Sequence, residues 1–148
     1  MDKFNVRVYG LLINEAGEIL LTDEEIKGYK FTKFPGGGLE LGEGTIDGLK
    51  REFLEECQLN IEVIEHYYTT DFFVKSLFSD EQLLSIYYKV KPAESLNIKI
   101  AIQPFDFEGQ QTENKQSFRW CGVNSLNTND LTFPVDKYVL ELLKESGR

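Results

Sequence analysis

Three glutamates lie within one short stretch, Arg51-Glu52-Phe53-Leu54-Glu55-Glu56. It follows the run Gly36-Gly37-Gly38-Leu39-Glu40-Leu41-Gly42-Glu43. On a helix at about 100° per residue, Glu56 falls about 40° to one side of Glu52 and Glu55 about 60° to the other. All three carboxylates then share one arc roughly 100° wide. Like charges on one arc repel, so a chain that keeps them needs a counter-charge. A hard divalent cation, Mg²⁺ or Mn²⁺, is the natural one, because it takes oxygen ligands. Arg51 points elsewhere on the helix and is not an obvious partner. Gly48 falls within the carboxylate arc, one turn before Glu52, and should leave open space for a ligand or ion. The bland alternatives are a solvated acidic helix face and a flexible glycine turn.

The rest of the composition limits what such a site could serve. The chain has 148 residues, of which 41% are hydrophobic and 28% charged, an ordinary globular composition with a single-domain length. The net charge of -9 disfavours a general nucleic-acid-binding surface. A small phosphorylated ligand is still compatible with it if cations held by carboxylates cancel the repulsion. No apolar run is long enough to cross a membrane. The first residues carry no signal-peptide pattern, so a cytoplasmic location is expected. Two cysteines, Cys57 and Cys121, and one histidine, His66, make zinc sites and Ser-His-Asp triads poor candidates.

Several elements must position the glutamates. Residues 4–13 alternate as a strand, 14–17 form a turn and 18–21 a second strand, together a hairpin. Residues 29–34 make a short strand leading into Pro35-Gly36-Gly37-Gly38. Residues 45–57 have helical spacing, with Ile46, Leu49, Phe53 and Leu54 apolar. Residues 61–74 and 83–90 read as strands, and 97–102 and 116–123 as weaker ones. Pro134 suits the first residue of a closing helix with Val135, Val139, Leu142 and Leu143 as its apolar face. No linker or repeat is visible, so residues 1–148 are expected to form one domain. Strands on both sides of one central helix imply a mixed α/β (α+β) class.

Taken together, Gly37-x5-Glu43-x7-Arg51-Glu52-Phe53-x-Glu55-Glu56-x-Gln58-Leu59 resembles the Nudix box. The family pattern is Gly-x5-Glu-x7-Arg-Glu-U-x-Glu-Glu-x-Gly-U, with U a bulky aliphatic or aromatic. The flanks resemble the family as well, in Phe34-Pro35-Gly36-Gly37 and in Phe118-Arg119-Trp120 followed by Leu126. One position departs: Gln58 stands where the family has a glycine. A glycine there usually takes the left-handed conformation that ends the helix, so Gln58 should cost about 1 kcal/mol unless Asn60 takes over the stop.

The resemblance implies a Nudix-type α/β/α sandwich with a mixed β-sheet and a catalytic helix after the Gly-rich loop. It implies that Glu52, Glu55 and Glu56 bind divalent metal, that Glu43 helps hold the site, and that the Gly37 carbonyl adds a ligand. Arg51 would orient a glutamate by a salt bridge. Glu113 would be the further glutamate from a late loop, with an exposed loop position as the alternative. The implied reaction is hydrolysis of a nucleoside diphosphate linked to another moiety, by substitution at phosphorus with water activated by Mg²⁺ or Mn²⁺. Glu52 or Glu113 would be the base.

Candidate substrate contacts are Tyr29 and Phe31, which precede the glycine loop, Gly36 and Gly37 within it, and Asp136, which could read an exocyclic amine. For Asp136 the alternative is an acidic first turn of a helix. The aromatic residues Tyr67, Tyr68, Phe72, Phe73, Phe78, Tyr87 and Tyr88 suit a core or the surface of a homodimer, and His66 a structural role. Substrate markers are absent from Val74-Lys75-Ser76-Leu77, so nucleoside triphosphates, ADP-ribose and nucleotide sugars stay open, with a lean towards ADP-ribose. The rivals are a non-catalytic Nudix nucleotide sensor, a MutT-type (d)NTP pyrophosphatase, and an interaction protein with an acidic helix.

Overall fold

A computed structural model describes residues 1–147. In chain order it has β1 (Phe4–Leu12), β2 (Glu18–Ile26), β3 (Tyr29–Lys33), β4 (Gly36–Gly38), α1 (Thr45–Cys57), β5 (Ile61–Thr69), β6 (Gln82–Pro92), β7 (Lys115–Gly122), a 3₁₀ turn (Thr128–Asp130) and α2 (Pro134–Glu145). The class is mixed α+β. The backbone divides into two compact units. One contains Met1–Leu12 and Pro35–Asn97, and the other contains Ile13–Phe34 and the segment from Ile98 onward.

The first unit holds a mixed sheet in the order β4-β1-β6-β5. Strand β1 runs antiparallel to β4 and parallel to β6, and β5 runs antiparallel to β6. Val8 to Leu12 are buried without a break, as expected of an inner strand covered on both faces. Helix α1 buries Leu49, Phe53 and Cys57. Gly10 lets it approach closely, since a Cβ there would lie 2.4 Å from the Phe53 ring. Ile46 and Leu54, apolar at helical spacing in the sequence, are 42% and 51% exposed. They fall on the rim of the helix stripe rather than its centre.

The second unit holds a sheet in the order β3-β2-β7, antiparallel throughout. Its core includes Ile19, Leu20, Leu21, Phe118, Leu131, Val139 and Leu143. Pro134 opens α2 as its first residue. Its fixed φ suits that position, and it has no N–H to leave unpaired there.

Three expectations are corrected. First, β1 and β2 do not form a hairpin. The turn forms, with the Asn14 side chain accepting from the Ala16 and Glu18 N–H groups, but only Ile13 and Ile19 bridge. A strand has two edges, and β4 and β6 take both edges of β1. The hairpin partner of β2 is β3, through Lys27 and Gly28 at φ 50 and 82. Two consecutive left-handed residues match the twist of a two-residue hairpin turn. Second, residues 97–102 make one isolated bridge, Ile100 to Phe118, rather than a strand. Pro104 and the left-handed Phe105 (φ 56) follow and prevent extension. Third, β5 stops at Thr69 rather than running to Val74. There the Thr70 hydroxyl turns in to pair with the backbone of Ser85.

Candidate active site

The glycine strand and the glutamate helix belong to the same unit. Gly36 has φ 148, and a Cβ there would fall 2.0 Å from the Val8 carbonyl. A Cβ at Gly37 would fall 2.5 Å from Glu52 Oε1. Gly37 therefore lets the Glu52 carboxylate lie directly against backbone. Glu52 is almost buried, with its side chain 11% exposed, whereas Glu55 is 59% exposed. Glu56 is half-buried on the same helix.

Arg51 organises the cluster. Its Nε and Nη2 donate to the two oxygens of Glu43 at 3.0 and 2.7 Å, a bidentate fork. Nη1 donates to Glu52 at 3.1 Å and Glu55 at 3.2 Å, and Nη2 also donates to the Gly38 carbonyl at 3.1 Å. Glu40 lies 3.5 Å from Nη1. The helix-wheel reading that Arg51 points away from the glutamates is thus wrong. Its long side chain reaches across several ångströms of arc, which a Cα-based angle does not capture.

The electrostatics follow from these bonds. Hydrogen bonds from Arg51, and then from the Glu40 N–H at 2.8 Å, hold the Glu43 carboxyl down to about 2. The Arg51 guanidinium is in turn pushed above its ordinary value, chiefly by Glu43. The space beside Gly48 is not open: a Cβ there would meet Leu39 at 2.6 Å and Glu43 at 2.9 Å. Gly48 admits the clamp rather than a ligand.

Four carboxylates, Glu40, Glu43, Glu52 and Glu55, face the single guanidinium of Arg51. That surplus of hard oxygen donors fits a divalent cation. Arg51 takes one oxygen of Glu52 and one of Glu55, so each carboxylate keeps a second oxygen for an ion. Among the described residues no three His, Cys, Asp or Glu side chains are spaced to share one ion; the oxygens converge on Arg51 instead.

The remaining candidates lie in the other unit. Glu113 is exposed in the segment before β7. Tyr29, 43% exposed, and Phe31, 3% exposed, sit on β3 with ring centroids 6.0 Å apart. The Phe31 ring also meets that of Phe133 at 5.4 Å. Asp136 is buried in the first turn of α2. The sequence reading missed Glu40 and the Gly38 carbonyl as partners of Arg51. It also missed a buried pair, Asp23 with Arg119 at 2.6 Å, where Thr32 donates to the same carboxylate. Asp23 opens the acidic run Asp23-Glu24-Glu25, so no sequence signal set it apart.

Solved structures show which fold this is. The E. coli ORF135 protein is similar at 20% identity and a TM-score of 0.71, over 97% of this chain and 90% of that one. A Nudix hydrolase from Nitrosomonas europaea is similar at 18% identity and a TM-score of 0.72, over 99% and 92%. The MutT protein from Methanosarcina mazei Go1 is similar at 16% identity and a TM-score of 0.70, over 100% and 99%. The fold is that of the MutT and Nudix hydrolases, a class of pyrophosphohydrolases. The family model described as NUDIX domain matches residues 3–143, and the chain belongs to that family. No curated protein matches it.

Proposed function

We propose that residues 1–148 act as one domain that hydrolyses a nucleoside diphosphate linked to another moiety, with Mg²⁺ or Mn²⁺ as cofactor. The observation that carries this reading is the Arg51 clamp, which packs surplus carboxylates against a strand made only of glycine. Glu52, Glu55 and Glu56, with Glu43 and the Gly37 carbonyl, are the groups that would hold the cation. There a divalent ion would supply neutralisation of phosphate charge and a lowered pKa for a bound water.

The chain's own residues supply the rest. Arg51 fixes the Glu52 carboxylate in one orientation, so Glu52 is pre-positioned to accept a proton from an attacking water. Glu113 is the other candidate base. Substitution at phosphorus requires no covalent enzyme intermediate. Gly36 and Gly37 are assigned to the phosphates through their backbone. Tyr29, Phe31 and Asp136 are assigned to the nucleoside. ADP-ribose or a related nucleotide derivative is the substrate class favoured. Likeness to the MutT protein of M. mazei supports a second reading, a (d)NTP pyrophosphatase.

The test is hydrolysis of a nucleotide panel with Mg²⁺ and then Mn²⁺, beside Glu56→Gln. Cleavage of one compound, lost in the variant, supports the reading and identifies the substrate class. Tight nucleotide binding without any cleavage would replace it with a nucleotide sensor.

A further inference from the structure

A protein of net charge -9 that handles phosphates needs a cation to meet them. Arg51 cannot be that cation. A guanidinium has five N–H donors, and those of Arg51 are engaged by Glu43 twice, Glu52, Glu55 and the Gly38 carbonyl. The strand register points to another residue. Arg7 of β1 stands opposite Gly38 of β4, and its Nη1 lies 3.7 Å from where a Gly38 Cβ would be.

The two guanidiniums approach β4 from opposite faces. Side chains alternate along a strand. A Cβ at Gly37 would point at Glu52 and one at Gly10 at Phe53, so that face belongs to α1. Val8, opposite Gly37, shares it, and Arg7 and Tyr9 project from the other face. Strand β4 is the edge of its sheet and has no side chains. Gly36 and Gly37 are buried and Gly38 is half-buried, so Gly38, beside Arg7, is where a ligand can reach the strand. Arg7 is also held in place. Its Nε donates to the Tyr9 hydroxyl at 2.6 Å, and the Tyr9 ring stacks on buried Tyr87 at 5.2 Å. A fork anchored in this way loses less freedom on binding an anion.

We propose that Arg7 binds the phosphate chain of the substrate across the glycine edge from the α1 carboxylates, with Tyr9 aligning its guanidinium. This rests on the phosphoanhydride-hydrolase reading. It adds a substrate-binding residue outside the box. The guanidinium matches two oxygens of one phosphate, which an ammonium cannot do.

The probe is inorganic pyrophosphate with Mg²⁺, titrated calorimetrically into wild type, Arg7→Gln and Arg7→Lys at two salt concentrations. Wild type is expected to bind, Arg7→Gln to bind roughly 10- to 100-fold more weakly with a smaller salt dependence, and Arg7→Lys to fall between. A purely structural role for Arg7 would lower the melting midpoint without this change in salt slope. If Arg7→Gln fails to melt cooperatively, Arg7→Lys decides, with weakening of roughly threefold or more expected. Failure of wild type to bind pyrophosphate, or equal affinity in the folded variants, overturns the proposal. Because the probe carries no nucleoside, this result is independent of the nucleotide panel. Pyrophosphate binding that depends on Arg7 would stand even if no nucleotide were cleaved.

Discussion

Glu43 and Arg51 form a bidentate pair, closed at 3.0 and 2.7 Å between the glycine loop and the second turn of α1. The pair ties the loop to the helix, and the remaining Arg51 donors reach Glu52, Glu55 and the Gly38 carbonyl. Glu43 is thus the fixed end of a chain of contacts whose other end is the nearly buried Glu52.

The pair makes stability depend on acid. Glu43 is held at about 2 against an ordinary value of 4.5. A carboxyl whose pKa is lower folded than unfolded stabilises the fold above its unfolded value, and that contribution fades as pH falls towards the folded one. The expected loss therefore runs from about pH 4.5 down to about pH 2. Acid unfolding followed by circular dichroism should show Glu43→Gln flatter than wild type in that window. Identical slopes would contradict the pairing.

Arg51 should matter for activity without touching substrate. Arg51→Ala is expected to lower kcat/KM roughly 10- to 100-fold, as loss of an outer partner of metal-site ligands does. Arg51→Lys should recover little, since one ammonium cannot replace a fork with five donors. Steady-state kinetics beside melting curves separates this from unfolding.

Gln58 ends α1 in the left-handed region, at φ 47 and ψ 39. It takes that conformation itself rather than passing the stop to Asn60, while buried Leu59 seals the end. Gln58→Gly should stabilise the protein by about 1 kcal/mol and raise Tm by about 2–4 °C. No change in a thermal melt would show that the left-handed turn is unstrained.

Asp23 is fully buried and accepts from Arg119 and Thr32. Burial alone would lower the Arg119 pKa, but the Asp23 bonds and charge outweigh it and raise it. Removing one partner of a buried pair leaves the other charge uncompensated. Asp23→Ala should therefore cost about 3–5 kcal/mol in denaturant unfolding. A loss under about 1 kcal/mol would mean that water already solvates Arg119.

The sequence showed the helix over 45–57 to the residue, because apolar spacing and the box agreed on it. It left open whether Gln58 or Asn60 would make the left-handed stop, and Gln58 makes it. Strand partners were harder to read. Residues 4–13 and 18–21 looked like a hairpin because adjacency in sequence was the only guide to pairing. Which edges of β1 were already occupied depends on β4 and β6, and β6 begins seventy residues further on. The family resemblance implied an Arg51 salt bridge to a glutamate, but the helix-wheel argument missed the clamp for a related reason. A helix wheel places Cα atoms, whereas the contacts are made at the end of a long side chain. Arg7 carried no signal in the sequence at all, and its place beside Gly38 appears only once β1 and β4 are in register.

The most direct test of the central claim is turnover of ADP-ribose, nucleotide sugars and nucleoside triphosphates by wild type and Glu52→Gln, with Mg²⁺ present and then removed by chelation. The account predicts cleavage of at least one compound, abolished by the chelator and reduced at least roughly 100-fold in a variant that still melts cooperatively. Cleavage that survives both the chelator and Glu52→Gln would contradict it.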